Sequence, residues 1–257
     1  MRGTDGRNGA KKAALEAHSA SISIIDLDVA DDASVGVGFA RILSEGPVDV
    51  LINNAGIMYL GITEAFSIAQ AKEQMETNYY GAIRTMQAVL PEMRKAGSGL
   101  IINTSSVVGR ISPPFFGTYS ATKHALEGYS QALRYEVAKL GVDVAIVEPG
   151  PFGTGLLGAG KPPAHAELLE SYGELGGVPA ALGAGFAKML QSEGAPDPHW
   201  VVDAYLNLAE MPAGTRPVRT VVGIAWGVGE MNRLTQSIQD NILNEMQLEG
   251  VLGGVSA

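Results

Sequence analysis

Apolar residues recur along this chain with two different periods, and the two alternate. Short β-branched runs at 22–29 (ISIIDLDV), 48–53 (VDVLIN), 100–104 (LIINT), 142–147 (VDVAIV) and 218–225 read as strands. Between them, apolar positions fall three and four apart. Asp31 or Asp32 can cap a helix running to about Ser44. A long helix is predicted over 68–95, with Ile83, Met86, Val89 and Leu90 on its buried side, and further helices over 118–140, 200–210 and 231–248. Strands alternating with helices of this length predict crossover units, and hence an α/β fold whose parallel sheet is covered on both faces.

After Pro149 the pattern dissolves. Residues 149–197 are rich in Gly, Pro and Ala, with short helical stretches near 164–172 and 180–191. A long, weakly patterned insertion after a strand often serves as a binding lid, and about 151–197 is expected to do so here. With no internal repeat and no charged linker, residues 1–257 are expected to form one domain.

Composition narrows the function. Hydrophobic residues make up 46% and charged residues 18% of the chain, which suits a large packed core. The formal net charge of -9 argues against nucleic acid or an anionic membrane as the main partner. There is no cysteine, so disulfides and thiolate metal sites are excluded. The four histidines (His18, His124, His165, His199) show no metal-ligand spacing. No apolar run approaches the roughly 20 residues that span a bilayer. The N-terminus carries Arg2, Arg7, Lys11 and Lys12 without a following apolar segment. The stretch 10–17 is read as a surface helix, and a cytoplasmic protein is expected.

Tyr119-Ser-Ala-Thr-Lys123 sets a phenol and an ammonium four apart on a predicted helix, so both project from one face. A nearby positive charge favours the phenolate, which would let Tyr119 exchange a proton with a carbonyl or alcohol oxygen. The alternative for such a pair alone is an exposed helical contact. Ser106 follows the strand ending near Thr104, on the carboxyl edge where α/β proteins bind ligands, and its hydroxyl could meet the same oxygen. Asn53-Asn-Ala-Gly56 ends the preceding strand on that edge, and Pro149-Gly-Pro-Phe-Gly-Thr154 closes the next. Asn78 lies among apolar helix positions, as a structural hydrogen-bonding residue or part of a polar relay.

Together Asn53-Asn-Ala-Gly56, Asn78, Ser106, Tyr119-x-x-x-Lys123 and Pro149-Gly150 followed by Thr154 resemble the short-chain dehydrogenase/reductase family, in order and spacing, from about residue 22 onward. The resemblance implies a Rossmann-like doubly wound parallel sheet and an oxidoreductase that uses NADP or NAD. It implies Tyr119 as general acid/base and Lys123 lowering its pKa and holding the nicotinamide ribose. Ser106 would orient the carbonyl, and Asn78 would hold a proton-relay water. Asp28 and Val29 would lie near the adenine, Asn54, Ala55 and Gly56 along the adenosine side, and Pro149, Gly150 and Thr154 near the nicotinamide. Residues 119–128 (YSATKHALEG) look like family members acting on ketones, hydroxysteroids or retinoids.

The family's first two strands and the glycine-rich turn between strand and helix have no counterpart in the sequence. A start assigned too far downstream, or a truncated or remodelled paralogue, would explain this. The loss is expected to weaken cofactor binding by several kcal/mol and to leave the edge of 48–53 unpaired, unless 22–29 moves over or another chain covers it. The resemblance puts Arg2 where relatives meet the 2′-phosphate of NADP, which points to NADP; the alternative is an arginine on a frayed terminus. Two apparent phosphate loops are decoys. Gly36-Val-Gly38 is followed by Arg41, and Gly155-Leu-Leu-Gly-Ala-Gly160-Lys161 runs into Pro162, which offers no magnesium ligand.

The expected function is therefore hydride transfer between a nicotinamide cofactor and a ketone, aldehyde or secondary alcohol. The pocket is expected to be mainly apolar, with Val107, Val108, Pro113, Phe115, Phe116, Phe152, Leu156 and Leu157 either lining it or serving the core. A homodimer or homotetramer built on the helices of about 68–95 and 118–140 is expected. The rival reading is a non-catalytic paralogue that uses those helices as an oligomerisation or binding partner. Sugar-nucleotide epimerisation shares the Tyr/Lys pair but suits residues 118–128 less well.

Overall fold

The computed structural model describes residues 21–248, together with 14, 15 and 17–19. Four strands form a parallel sheet in the order β1 (Val50–Asn53), β2 (Gly99–Thr104), β3 (Val142–Pro149), β4 (Arg219–Val222). β3 is buried along nearly its whole length, as its continuous apolar run requires of a central parallel strand. Asn53 pairs with Asn103, and Asn103 with Ile146, so the strand ends form one carboxyl edge.

Helices cover both faces. α1 (Asp32–Glu45) starts where the Asp31 side chain accepts a hydrogen bond from the Ser34 amide. α2 (Ile68–Met75) starts with a capping box of Ser67 and Gln70. A π turn (Glu76–Tyr80) joins it to α3 (Gly81–Ala96), which ends at Gly97 in the left-handed region, φ 66°. α4 is Gly117–Val137. α5 (Leu168–Ser171) and α6 (Glu174–Met189) fall in the weakly patterned stretch, before α7 (His199–Glu210) and α8 (Val228–Glu245). On one face, Val35, Phe39, Met86, Val89, Met93, Leu126 and Leu133 pack on Ile101 and Val144. On the other, Ala204 and Leu208 of α7 pack on Leu100, Ile102, Ala145 and Val147. Odd and even strand positions thus serve different layers, as a pleat demands.

The sequence pattern and the fold part company at 22–29. Five strands are predicted and four form among the described residues, because 22–29 runs without ladder partners. It stands across a cleft of about 440 Å³ from β1, with Ser23, Ile25, Leu27 and Val29 on one side and Leu51, Ile52 and Asn53 on the other. Its alternating apolar residues serve as anchors instead. A Cβ on Gly38 would lie 2.6 Å from Leu27 Cδ1, and one on Gly81 would lie 2.8 Å from Val29 Cγ2. A strand needs a neighbouring backbone edge, and among the described residues 22–29 pairs with none. β1 is left with Val50 38% and Ile52 42% exposed.

The predicted helix over 68–95 is one helical rod with a π turn at its middle, which a period of 3.6 does not anticipate. The segment predicted over 118–140 ends in a 3-10 turn (Ala138–Leu140), and the strand predicted over 218–225 is cut to Arg219–Val222. The helix expected at 10–17 and Arg2 lie largely or wholly outside the described residues. Among the described residues, no helix is long and apolar enough to cross a membrane.

Candidate active site

The carboxyl edge of the sheet opens into a cleft of about 510 Å³. β1 delivers Asn54 and Gly56, β2 delivers Thr104, Ser105 and Ser106, α4 delivers Tyr119 and Lys123, and β3 delivers Pro149 and Gly150. Met58, Val107, Val108, Phe116, Phe152, Leu156, Leu157, Phe186 and Trp226 supply an apolar wall. Lys123 is the one charged side chain among the lining residues.

Helical spacing explains the central pair. Tyr119 and Lys123 sit one turn apart on the inward face of α4, and both are buried. Lys123 Nζ lies 5.7 Å from the Tyr119 ring centroid and donates to the Thr104 carbonyl at 2.7 Å. Burial pushes the Tyr119 phenol up to about 12, with the Ser106 hydroxyl pulling the other way. Burial also pulls the Lys123 ammonium down to about 8, opposed by the Glu127 carboxylate. In this state, then, desolvation outweighs the Ser106 hydrogen bond at Tyr119, and the phenol keeps its proton at neutral pH. Ser106 Oγ donates to the Pro149 carbonyl at 3.2 Å and accepts from the Val108 amide at 3.3 Å.

Asn78 sits on the π turn, which aims it at the chain leaving β1. Its Oδ1 accepts from the Ile57 amide at 2.8 Å, while its Nδ2 donates to the Ile57 carbonyl at 2.8 Å and to Thr122 Oγ1 at 3.0 Å. Both amide donors are thereby spent on protein, and the residue clamps that loop to α4.

The residues that the resemblance assigns to a dinucleotide divide in two. Asn54, Gly56, Ser106, Tyr119, Lys123, Pro149, Gly150 and Thr154 line the main cleft; Val29, Asn54, Ala55 and Asn78 line the second, beside β1. Asp28 lines neither: its carboxylate accepts from the Ala30 amide at 3.0 Å, and its own amide donates to Ser34 Oγ at 2.9 Å. Arg2 lies outside the described residues. Pro113 and Phe115, expected in the apolar wall, do not line the cleft, and Phe115 sits in the left-handed region, φ 74°. Lys161 of the loop-like decoy is held by Glu73 at 2.7 Å.

The nicotinamide end of a cofactor fits this cleft. An ammonium has three N–H donors, and the Thr104 carbonyl takes one of those on Lys123, leaving others for ribose hydroxyls. The phosphate end does not find its cradle among the described residues: the first turn of α1 is already filled by the Asp31 carboxylate and carries Asp32.

Sequence reasoning missed Thr122, Tyr205, Phe186 and Trp226. Thr122 could have been found, because it shares the helix face of Tyr119 and Lys123. The other three come from segments far along the chain with no local motif. Tyr205 bonds with Thr104 Oγ1 at 2.8 Å and donates to Asn54 Oδ1 at 3.1 Å. Trp226, with φ 44°, opens α8 and meets Phe186 at 6.5 Å between ring centroids.

The short chain dehydrogenase family model matches residues 4–162. The chain is 44% identical over 135 residues to 3-ketodihydrosphingosine reductase of Bacteroides thetaiotaomicron, covering 52% of this chain and 50% of that protein. It spans about half the length of the curated relatives it matches. A short-chain dehydrogenase of Streptomyces avermitilis superimposes with a TM-score of 0.68 at 32% identity, covering 93% of this chain and 84% of that one. A gluconate 5-dehydrogenase of Burkholderia cenocepacia, in complex with NADP and tartrate, gives 0.50 at 31% identity over 56% and 57%. The chain belongs to the short-chain dehydrogenase family.

Proposed function

We propose that this protein is an oxidoreductase that interconverts an apolar ketone or aldehyde and its alcohol with a nicotinamide cofactor, preferring NADP. The observation that carries this reading is the convergence of Tyr119, Ser106 and Lys123 on one cleft whose remaining wall is apolar. A bound nicotinamide supplies or accepts the hydride. The chain's own residues handle the proton and the placement of the substrate. A phenol that keeps its proton is a ready donor to a carbonyl oxygen, so Tyr119 is the general acid in reduction and takes the proton back in oxidation. Ser106 steadies the same oxygen, and Lys123 holds the ribose and the charge beside the phenol.

The substrate class follows from the wall. With Lys123 the lone charge in the cleft, recognition rests on apolar area and on one carbonyl or hydroxyl group. The Bacteroides thetaiotaomicron relative, 3-ketodihydrosphingosine reductase, supports that direction. The NADP held by the Burkholderia cenocepacia structure supports the cofactor. Residues 151–197 act as the lid, residence in the cytoplasm is part of the same reading, and the chain assembles as a homodimer or homotetramer.

A second reading has its own observation. The open cleft beside β1, with no phosphate cradle among the described residues, favours a non-catalytic binding partner. A fluorescence titration of NADPH into the purified chain separates the two. The oxidoreductase reading expects a saturable signal below about 1 mM; its absence at that concentration favours the binding partner.

A further inference from the structure

Behind the floor of the cleft, four elements bury a charged cluster that proton transfer at Tyr119 does not use. Glu127 lies one turn past Lys123 on α4, and Glu148 is the residue before Pro149 on β3. They are 2% and 0% exposed. Arg219 of β4 donates from Nε to Glu127 Oε2 at 2.8 Å, and that nitrogen also lies 3.5 Å from Glu148 Oε1. Its other branch reaches Gln131 at 2.9 Å. Asn232 of α8 donates to Glu148 Oε2 at 2.5 Å and accepts from Arg110 at 2.8 Å. Arg110 also binds Thr235 at 2.6 Å. One oxygen of each carboxyl, Glu127 Oε1 and Glu148 Oε1, is buried with no hydrogen-bond donor.

Two carboxylates therefore face one guanidinium, while the second arginine is turned to an amide and a hydroxyl. Carboxyl groups within hydrogen-bonding reach of each other do not both stay ionised in a dry interior. A single proton held between the two carboxyl groups would supply a donor where each has a buried oxygen without a hydrogen bond. We propose that Glu127 and Glu148 share one proton, and that the pair is a positioning element for Lys123, setting the negative charge presented to it through α4.

The groups facing the pair are Arg219, Arg110 and Lys123 as cations and Asn232 and Gln131 as neutral partners. Burial, and then the neighbouring Glu127, pushes Glu148 up to about 8, the same range to which burial pulls Lys123. As pH rises through that range the pair gains a second negative charge, which favours the charged ammonium. Lys123 thus keeps its proton to higher pH than burial alone would allow. The proton sharing stands by itself, whereas its value for turnover rests on the oxidoreductase reading.

Glu148→Gln mimics the protonated acid, with an oxygen to accept from Asn232 and an amide to donate to Glu127. Infrared difference spectra of the full chain should show a protonated carboxyl band at pH 6 that is lost above pH ~9, and this titrating band should be missing in Glu148→Gln. Lysine-labelled NMR, with the Lys123 resonance assigned through Lys123→Arg, should place its titration on the order of one pH unit lower in Glu148→Gln than in the unaltered chain. Glu127→Gln keeps an acceptor for Arg219 and must remove the same band, which protects the test if one variant folds poorly. An unaltered chain without the band, or a Lys123 midpoint that Glu148→Gln leaves in place, overturns the proposal. Neither readout needs cofactor or turnover, so failure of the catalytic reading would leave this test intact.

Discussion

At the scale of single residues, burial and spacing act together on α4. The four-residue interval between Tyr119 and Lys123 was legible in the sequence because helical geometry puts such positions on one face. Ser106 was legible from its place just past a strand end. The direction of the Tyr119 shift was not, because a charge four residues away can be read from sequence while the loss of surrounding water cannot. Two predictions belong here. Tyr119→Phe should reduce turnover by roughly 10²–10⁴-fold, the usual worth of a positioned acid, while leaving the thermal midpoint nearly in place. Lys123→Met should be more stable than the unaltered chain near pH 7, and that advantage should shrink as pH rises from 8 toward 10.5. The sign follows from linkage: the folded lysine titrates near 8 and the unfolded one near 10.5, so the unfolded chain binds more protons in between, and raising the pH favours the fold. Urea midpoints of both chains at pH 7, 8.5 and 10 check it.

Among the elements, β3 and α4 were the easiest to read, since a continuous apolar run and a 21-residue helical pattern admit few alternatives. Residues 22–29 were misread for a physical reason. Alternation in sequence reports which side chains are buried, whereas a strand also needs a neighbouring backbone edge, and here the alternation is satisfied by packing on Gly38 and Gly81. The π turn at Glu76–Tyr80 was equally hidden, because it preserves apolar spacing on either side while turning Asn78 inward. Gly81→Ala should therefore cost about 1–3 kcal/mol in urea unfolding by driving a methyl into Val29, with the main cleft untouched. At the open edge, Ile52→Lys should slow aggregation on mild heating, read by light scattering, since a charge there discourages strand addition to β1. Faster aggregation in that variant would contradict the assignment of β1 as an exposed edge.

For the molecule as a whole, the four-stranded parallel sheet of the described residues opens its cleft at the carboxyl edge and leaves β1 without a neighbouring strand on its outer side. That location follows from connectivity: each crossover returns the chain to the amino end, so loops after the strands gather at the other end and shape the cleft. Tyr205, Phe186 and Trp226 reach it only because α6, α7 and α8 fold over that end, which is why no local motif announced them. Under the proposed oxidoreductase reading, the net charge of -9 and the apolar cleft together predict a neutral substrate over an anionic one.

The most direct test of this account follows a single turnover of an apolar ketone with NADPH deuterated at the transferring position, in the unaltered chain and in Tyr119→Phe. Deuterium is expected on the carbinol carbon of the product, with formation at least roughly 100-fold slower in Tyr119→Phe at matched cofactor occupancy. Equal rates in the two chains, or an alcohol without the label, would contradict it.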